Sequence, residues 1–194
     1  NSTTVNYDLL QTIHYNDTPY ISTFSNFASS ISMDDAGQWL FISAYNADDG
    51  ILQKGKVLIY KNTGTQFAFS QIINNPSPAQ GSQFGFSVET DASGNVLGIT
   101  AIGPVNLTGL VFDSGKTTFD ADSTRYSESV LGAGTAYVFN RYNDKFIFAS
   151  ELTDSNITAN SAYGASISVN RKAVYVGAPL YITCLLYTSD AADD

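Results

Sequence analysis

The 194 residues include one cysteine, Cys184, one histidine, His14, one methionine and one tryptophan. A single thiol excludes an intrachain disulfide and a cysteine-based metal centre, so stability has to come from packing. A single imidazole leaves any histidine-dependent chemistry resting on His14 alone. Charge is also sparse: 14% of residues are charged, and eighteen acids against nine bases give a net −9. With no basic run to neutralise phosphates, nucleic acid is not an expected partner. No apolar run approaches the roughly 18 residues of a membrane-spanning helix, and no charged-then-apolar leader opens the chain, so membrane insertion is not expected either. Catalytic signatures are missing as well: there is no Gly-x-Ser-x-Gly elbow, no His-Glu-x-x-His and no phosphate-binding Gly loop followed by Lys-Ser or Lys-Thr.

What is abundant points to strands. Aromatic residues make up 13% of the chain, with twelve Tyr and twelve Phe, and glycines number fifteen. Val, Ile and Thr recur between Asp, Asn and Gly turns, the composition of pleated, half-buried strands. The low charge and the many Ser, Thr and Asn residues suit a secreted, cell-surface or virion-associated β protein. Asn1, Asn16, Asn106 and Asn156 each open an Asn-x-Ser/Thr triplet, which this composition makes common.

The strands recur as a repeat. Asn26-Phe27-Ala28-Ser29-Ser30-Ile31 is matched by Gln83-Phe84-Gly85-Phe86-Ser87-Val88 and by Ala162-Tyr163-Gly164-Ala165-Ser166-Ile167. Phe27 to Ala44 and Phe84 to Ala101 both span 17 residues, and Tyr60 to Phe84 and Phe139 to Tyr163 both span 24. Each unit reads as a four-stranded meander: Phe27–Met33 or Phe84–Thr90, Trp39–Ala44 or Val96–Ala101, Gly55–Lys61 or Thr135–Arg141, and Gln66–Ile73 or Lys145–Leu152. Asp34-Asp35-Ala36-Gly37 and Asp91-Ala92-Ser93-Gly94 supply tight hairpins between the first two strands. Leu9–Tyr15 matches a fourth strand, its Gln11-Thr12-Ile13 echoing Gln71-Ile72-Ile73, so the chain is expected to open inside an earlier unit.

These residues resemble the FG-GAP repeat family, known from integrin α chains. Phe84-Gly85 with Ser87-Val88, Val176-Gly177-Ala178-Pro179 and the Gly-x-x-Tyr-Val-Phe of Gly134–Phe139 match its hallmark positions, and the resemblance covers about 9–183. Copy one departs from it, with Phe27-Ala28 for the Phe-Gly pair. The resemblance implies an all-β fold, a fragment of a β-propeller with four-stranded antiparallel blades. Residues 24–73 and 82–152 would be complete blades, 9–15 a strand of the preceding blade and 162–183 part of the next, each packing on its neighbours. Calcium-binding members hold the ion in an acid-rich loop between strands one and two. The loops here are too short for that, so neither metal nor cofactor is expected. Phe27, Phe84, Gly85, Tyr163, Gly164, Gly177 and Pro179 are expected to be structural, the glycines permitting close backbone approach and the aromatics wedging between sheets.

From Cys184 onward the pattern changes. Residues 184–194 resemble the conceptual translation of a sequencing-library transposon adapter, and such a tail is expected to be foreign to the natural protein and to pack poorly.

The expected function is recognition or structural support, with a protein or glycan partner bound through propeller loops. The alternative is the scaffold of a polysaccharide-degrading enzyme whose catalytic blades lie outside this chain. The expected contact site is the insertion 108–131, because Phe84 to Gly134 spans 50 residues where Phe27 to Gly55 spans 28. Phe112, Phe119, Arg125 and Tyr126 are residue types favoured at interface hot spots, and Asp113, Asp120 and Asp122 would position a polar ligand.

Overall fold

Alternation of apolar and polar residues with β-branched and aromatic enrichment makes strands, and Asp, Asn and Gly end them. A computed structural model describes residues 8–17, 25–48, 53–78, 81–103, 133–153, 161–179 and 183–188. Among the described residues, eleven strands form three antiparallel sheets. The first holds β1 (Phe27–Met33), β2 (Trp39–Ala44), β3 (Lys56–Asn62) and β4 (Phe67–Asn74) in chain order. The second repeats that order with β5 (Phe84–Thr90), β6 (Val96–Ala101), β7 (Thr135–Tyr142) and β8 (Lys145–Leu152). The third holds β9 (Ser166–Val169), β10 (Ala173–Ala178) and β11 (Thr183–Thr188).

The repeat extends to individual bonds. Phe27 pairs with Ala44 and Ile31 with Ile42 around a bulge, and 57 residues on Phe84 pairs with Ala101 and Val88 with Ile99 around the same bulge. A hydroxyl from the second strand reaches into each bulge: Ser43 Oγ accepts from Ser30 N at 2.9 Å, and Thr100 Oγ1 from Ser87 N at 3.0 Å. Each hairpin is tied by one side chain. Asp34 Oδ1 accepts from Gln38 N at 2.8 Å and Trp39 N at 2.6 Å, Asp91 Oδ1 from Asn95 N at 2.7 Å and Val96 N at 2.8 Å. In the third sheet Asn170 Oδ1 does the same for Lys172 N and Ala173 N.

Successive sheets lie face to face. β5 packs against β1, β2 and β3, and β9 against β5 and β6. Trp39, Phe41, Val57 and Ile59 of the first sheet close on Phe84, Val88, Leu97, Ile99, Tyr137, Phe139 and Phe146 of the second. Each such large side chain taken out of water stabilises the fold by about 1.5–3 kcal/mol before entropy is counted. Between sheets two and three, Ala136 packs with Tyr163, Val169, Val174 and Val176. First strands also bond directly: Ser30 Oγ accepts from Val88 N and Ser32 Oγ from Thr90 N, each at 3.0 Å.

Close approach fixes two kinds of glycine. A Cβ on Gly85 (φ +93°) would stand 3.0 Å from Lys56 O, and one on Gly164 (φ +88°) 3.0 Å from Thr100 Cβ. Gly55 and Gly134, just before the third strands, are tighter still: a Cβ would overlap Phe84 O and Tyr163 O, respectively.

Two expectations are corrected. Leu9–Tyr15 forms no strand; it runs irregularly into a 3-10 turn at Tyr15–Asp17, because no described neighbour offers it a ladder. Yet Gln11 takes the expected place, donating to Phe67 O at 3.1 Å and accepting from Phe67 N at 2.8 Å. The tail does not pack poorly at its start. Thr183–Thr188 pairs with Ala173–Ala178 in continuous register, Leu185 and Tyr187 turn toward the core, and Tyr163 OH donates to Tyr187 OH at 2.8 Å. Its alternation satisfies a third-strand position whatever its origin.

Candidate functional site

At the end of the first two sheets where second strands run on toward third strands, polar and aromatic side chains gather. Asn26 and Gln83, the residues just before Phe27 and Phe84, both take left-handed backbone conformations (φ +51° and +54°). Ala162, before Tyr163, repeats this at +52°. Asn26 Nδ2 donates to Tyr45 OH at 2.9 Å, Asn46 Nδ2 to Asn26 Oδ1 at 2.8 Å, and Gln83 Nε2 to Asn46 Oδ1 at 3.4 Å.

Beside this amide chain, the rings of Tyr45 and Phe86 lie with centroids 5.5 Å apart at 58°. Both are half-buried. Asn46 is held from behind, its N–H donating to Ser25 O at 3.0 Å. The result is a shelf with an apolar floor and an oriented polar rim, suited to the ring face of a sugar or an apolar side chain flanked by hydrogen-bonding groups.

Titratable groups near the sheet contacts are committed to the fold. Burial opposes ionisation of Asp91, but the Ser93 hydroxyl and the N–H groups of Val96, Asn95 and Ser93 outweigh it and hold the carboxyl below its usual range. Burial raises Glu89, against a hydrogen bond from Ser32. Burial, then the Glu151 charge, raises Tyr137. Among the described residues no group of three or more His, Cys, Asp and Glu side chains is placed to hold a metal ion.

Phe112, Asp113, Phe119, Asp120, Asp122, Arg125 and Tyr126 lie outside the described residues. Of the residues expected to be structural, Phe84 and Tyr163 are fully buried in sheet contacts and Phe27 is half-buried on the outer face of sheet one. Gly177 O accepts from Gly164 N at 2.9 Å, and Pro179 follows the end of β10, exposed. Tyr45, Asn46 and Phe86 were not singled out as site residues from sequence. Phe86 occurs within the repeat, but nothing in its spacing places it beside Tyr45.

No protein-family model matches this chain, and no curated protein matches it.

Proposed function

We propose that this chain is a non-catalytic recognition or structural module, part of an FG-GAP-like β-propeller in a surface, secreted or virion-associated protein. In this reading the sheets are blades, and a glycan or protein partner is bound through the loops at one end. The observation that carries the propeller reading is the relation of β1, β5 and β9. The first strand of each sheet packs on the first strand of the sheet before it, and the next two strands follow outward in the same order. Blades set around an axis have this arrangement.

The Tyr45–Phe86 shelf supports recognition at the loop end, and its aromatic floor with Asn and Gln amides favours a glycan. In the sequence, the insertion 108–131 follows β6 as Tyr45 follows β2. The test is a glycan microarray probed with the whole chain, with Tyr45→Ala and with Phe86→Ala. Binding by the wild type that is lost in both variants at unchanged melting temperature supports the reading. Binding that both variants retain puts the contact elsewhere, and a wild type that binds no glycan removes the glycan reading.

A further inference from the structure

Building on the glycan reading above, on which it rests, we infer that the Tyr45–Phe86 shelf selects an uncharged sugar bearing an acetamido group, an N-acetylhexosamine, over sugars that carry only hydroxyls. The repeat supplies an internal control. Sheets two and three meet with the same backbone as sheets one and two: Gly103 N donates to Ser82 O at 3.0 Å as Asn46 N does to Ser25 O, and Ala165 N donates to Ala162 O at 3.0 Å as Phe86 N does to Gln83 O at 3.2 Å. Ala162 and Gln83 share the left-handed conformation. The side chains nevertheless differ. Where the first contact has Tyr45, Asn46, Gln83 and Phe86, the second has Ile102, Gly103, Ala162 and Ala165. The same backbone is thus built without an amide or an aromatic ring at these four places, and the needs of the fold do not account for the set in the first contact.

The hydrogen bonds of that set run in one direction. Gln83 Nε2 donates to Asn46 Oδ1, Asn46 Nδ2 to Asn26 Oδ1, and Asn26 Nδ2 to Tyr45 OH. A relay of this kind leaves a donor at one end and an acceptor at the other. Here these are the Tyr45 hydroxyl hydrogen and Gln83 Oε1, neither of which has a partner among the described residues. An acetamido group is the complement of such a pair, with a carbonyl to accept from Tyr45 and an N–H to donate to Gln83. Reversing every amide would exchange the two ends and leave the same match.

Ring geometry agrees with this. At 58° to each other, the rings of Tyr45 and Phe86 cannot both lie against one flat sugar face. One takes the face, and the other meets a group projecting from it, a place suited to a small apolar methyl. In an acetamido group that methyl is bonded to the same carbonyl that the relay would hold. None of Asn26, Tyr45, Asn46, Gln83 and Phe86 is charged, so a carboxylated or sulfated sugar gains no charge-assisted bond from them. Both partners in the middle of the set are anchored by their backbones, Asn46 N on Ser25 O and Gln83 N on Gln53 O, each at 3.0 Å. Groups ordered before the ligand arrives cost less to bind with.

The test is calorimetric titration of the whole chain and of Tyr45→Phe with chitotriose, cellotriose and an uncharged N-acetylated tripeptide amide. The two sugars share length and linkage and differ by an acetamido group in place of a hydroxyl on the second carbon of each unit. The wild type is expected to bind chitotriose at least about ten-fold tighter than cellotriose, the worth of a hydrogen bond and a methyl contact together. Tyr45→Phe keeps the ring and removes the hydroxyl, so the preference should shrink by about five-fold at unchanged melting temperature. Equal affinity for the two sugars overturns the inference and leaves the glycan reading standing. If neither sugar binds, the inference falls, and the microarray decides whether the glycan reading falls with it. A folded Tyr45→Phe that keeps the full preference also overturns it. So does a tripeptide bound more tightly than chitotriose, which would give the shelf to a protein partner.

Discussion

Gln71 and Phe146, 75 residues apart, exchange two hydrogen bonds: the Gln71 amide donates to Phe146 O at 2.9 Å and accepts from Phe146 N at 3.0 Å. A single side chain on the outer strand of one sheet thereby fills the main-chain bonding of the next sheet's outer strand. Gln71→Ala should cost about 1–2 kcal/mol, since both backbone groups of Phe146 lose a partner. Thermal melting should fall by about 2–4 °C per kcal/mol. Amide exchange should quicken around Phe146, and a variant with wild-type exchange there would show that the pair contributes little.

Position 28 and position 85 are repeat equivalents that share a left-handed backbone but carry different residues. Ala28 sits at φ +62°, a conformation an L residue adopts only under strain. Ala28→Gly should therefore stabilise by up to about 1 kcal/mol, the relief slightly exceeding the added unfolded-chain entropy. Gly85→Ala should do the reverse by about 2 kcal/mol or more, since strain adds to contact with Lys56 O and Val57 Cγ2. Denaturant midpoints moving in the same direction for both variants would contradict this.

Asp91 ties its hairpin as a carboxylate, and its pKa is depressed in the folded state. The sign follows: its contribution is full above the unfolded carboxylate range, near pH 4, and is lost as pH falls through the lower folded value. Asp91→Asn keeps an acceptor, as Asn170 shows in the third sheet, so it should cost little at pH 7 and flatten the loss of stability on the acid side. Asp91→Ala removes the acceptor and should cost about 1–2 kcal/mol at neutral pH. Melting curves from pH 3 to 7 would check both, and an unchanged acid slope in Asp91→Asn would argue against the assignment.

Truncation after residue 182 removes β11 and, with it, Leu185 and Tyr187 from the packing around Tyr163 and Val176. The remaining β9–β10 hairpin is too small to be stable alone. Limited proteolysis should then cut within 161–179 at least ten-fold faster, about 1.4 kcal/mol of local stability, while sheet one keeps its resistance. Equal cleavage rates would show that β11 adds nothing to the third sheet.

The sequence by itself determined the strands and their order. Phe27–Met33, Trp39–Ala44, Phe84–Thr90, Val96–Ala101 and Lys145–Leu152 fall where the repeat places them. Local chemistry is enough for that, because alternation buries one face and Asp-Gly turns set the register. Gln11 echoes Gln71 in the sequence, but the paired hydrogen bonds that each makes to Phe67 and Phe146 came into view only in the fold. Tertiary structure alone decided which residues meet between sheets. Gly85 and Gly164 stood out as motif glycines, but the tighter approach of Gly55 to Phe84 and of Gly134 to Tyr163 depends on where the next sheet lies. The same holds for Tyr45 beside Phe86, and for the tail strand, whose six alternating residues became β11 only because β10 offered an open edge. A contact between distant segments leaves no period in either one, so only the folded chain brings it into view.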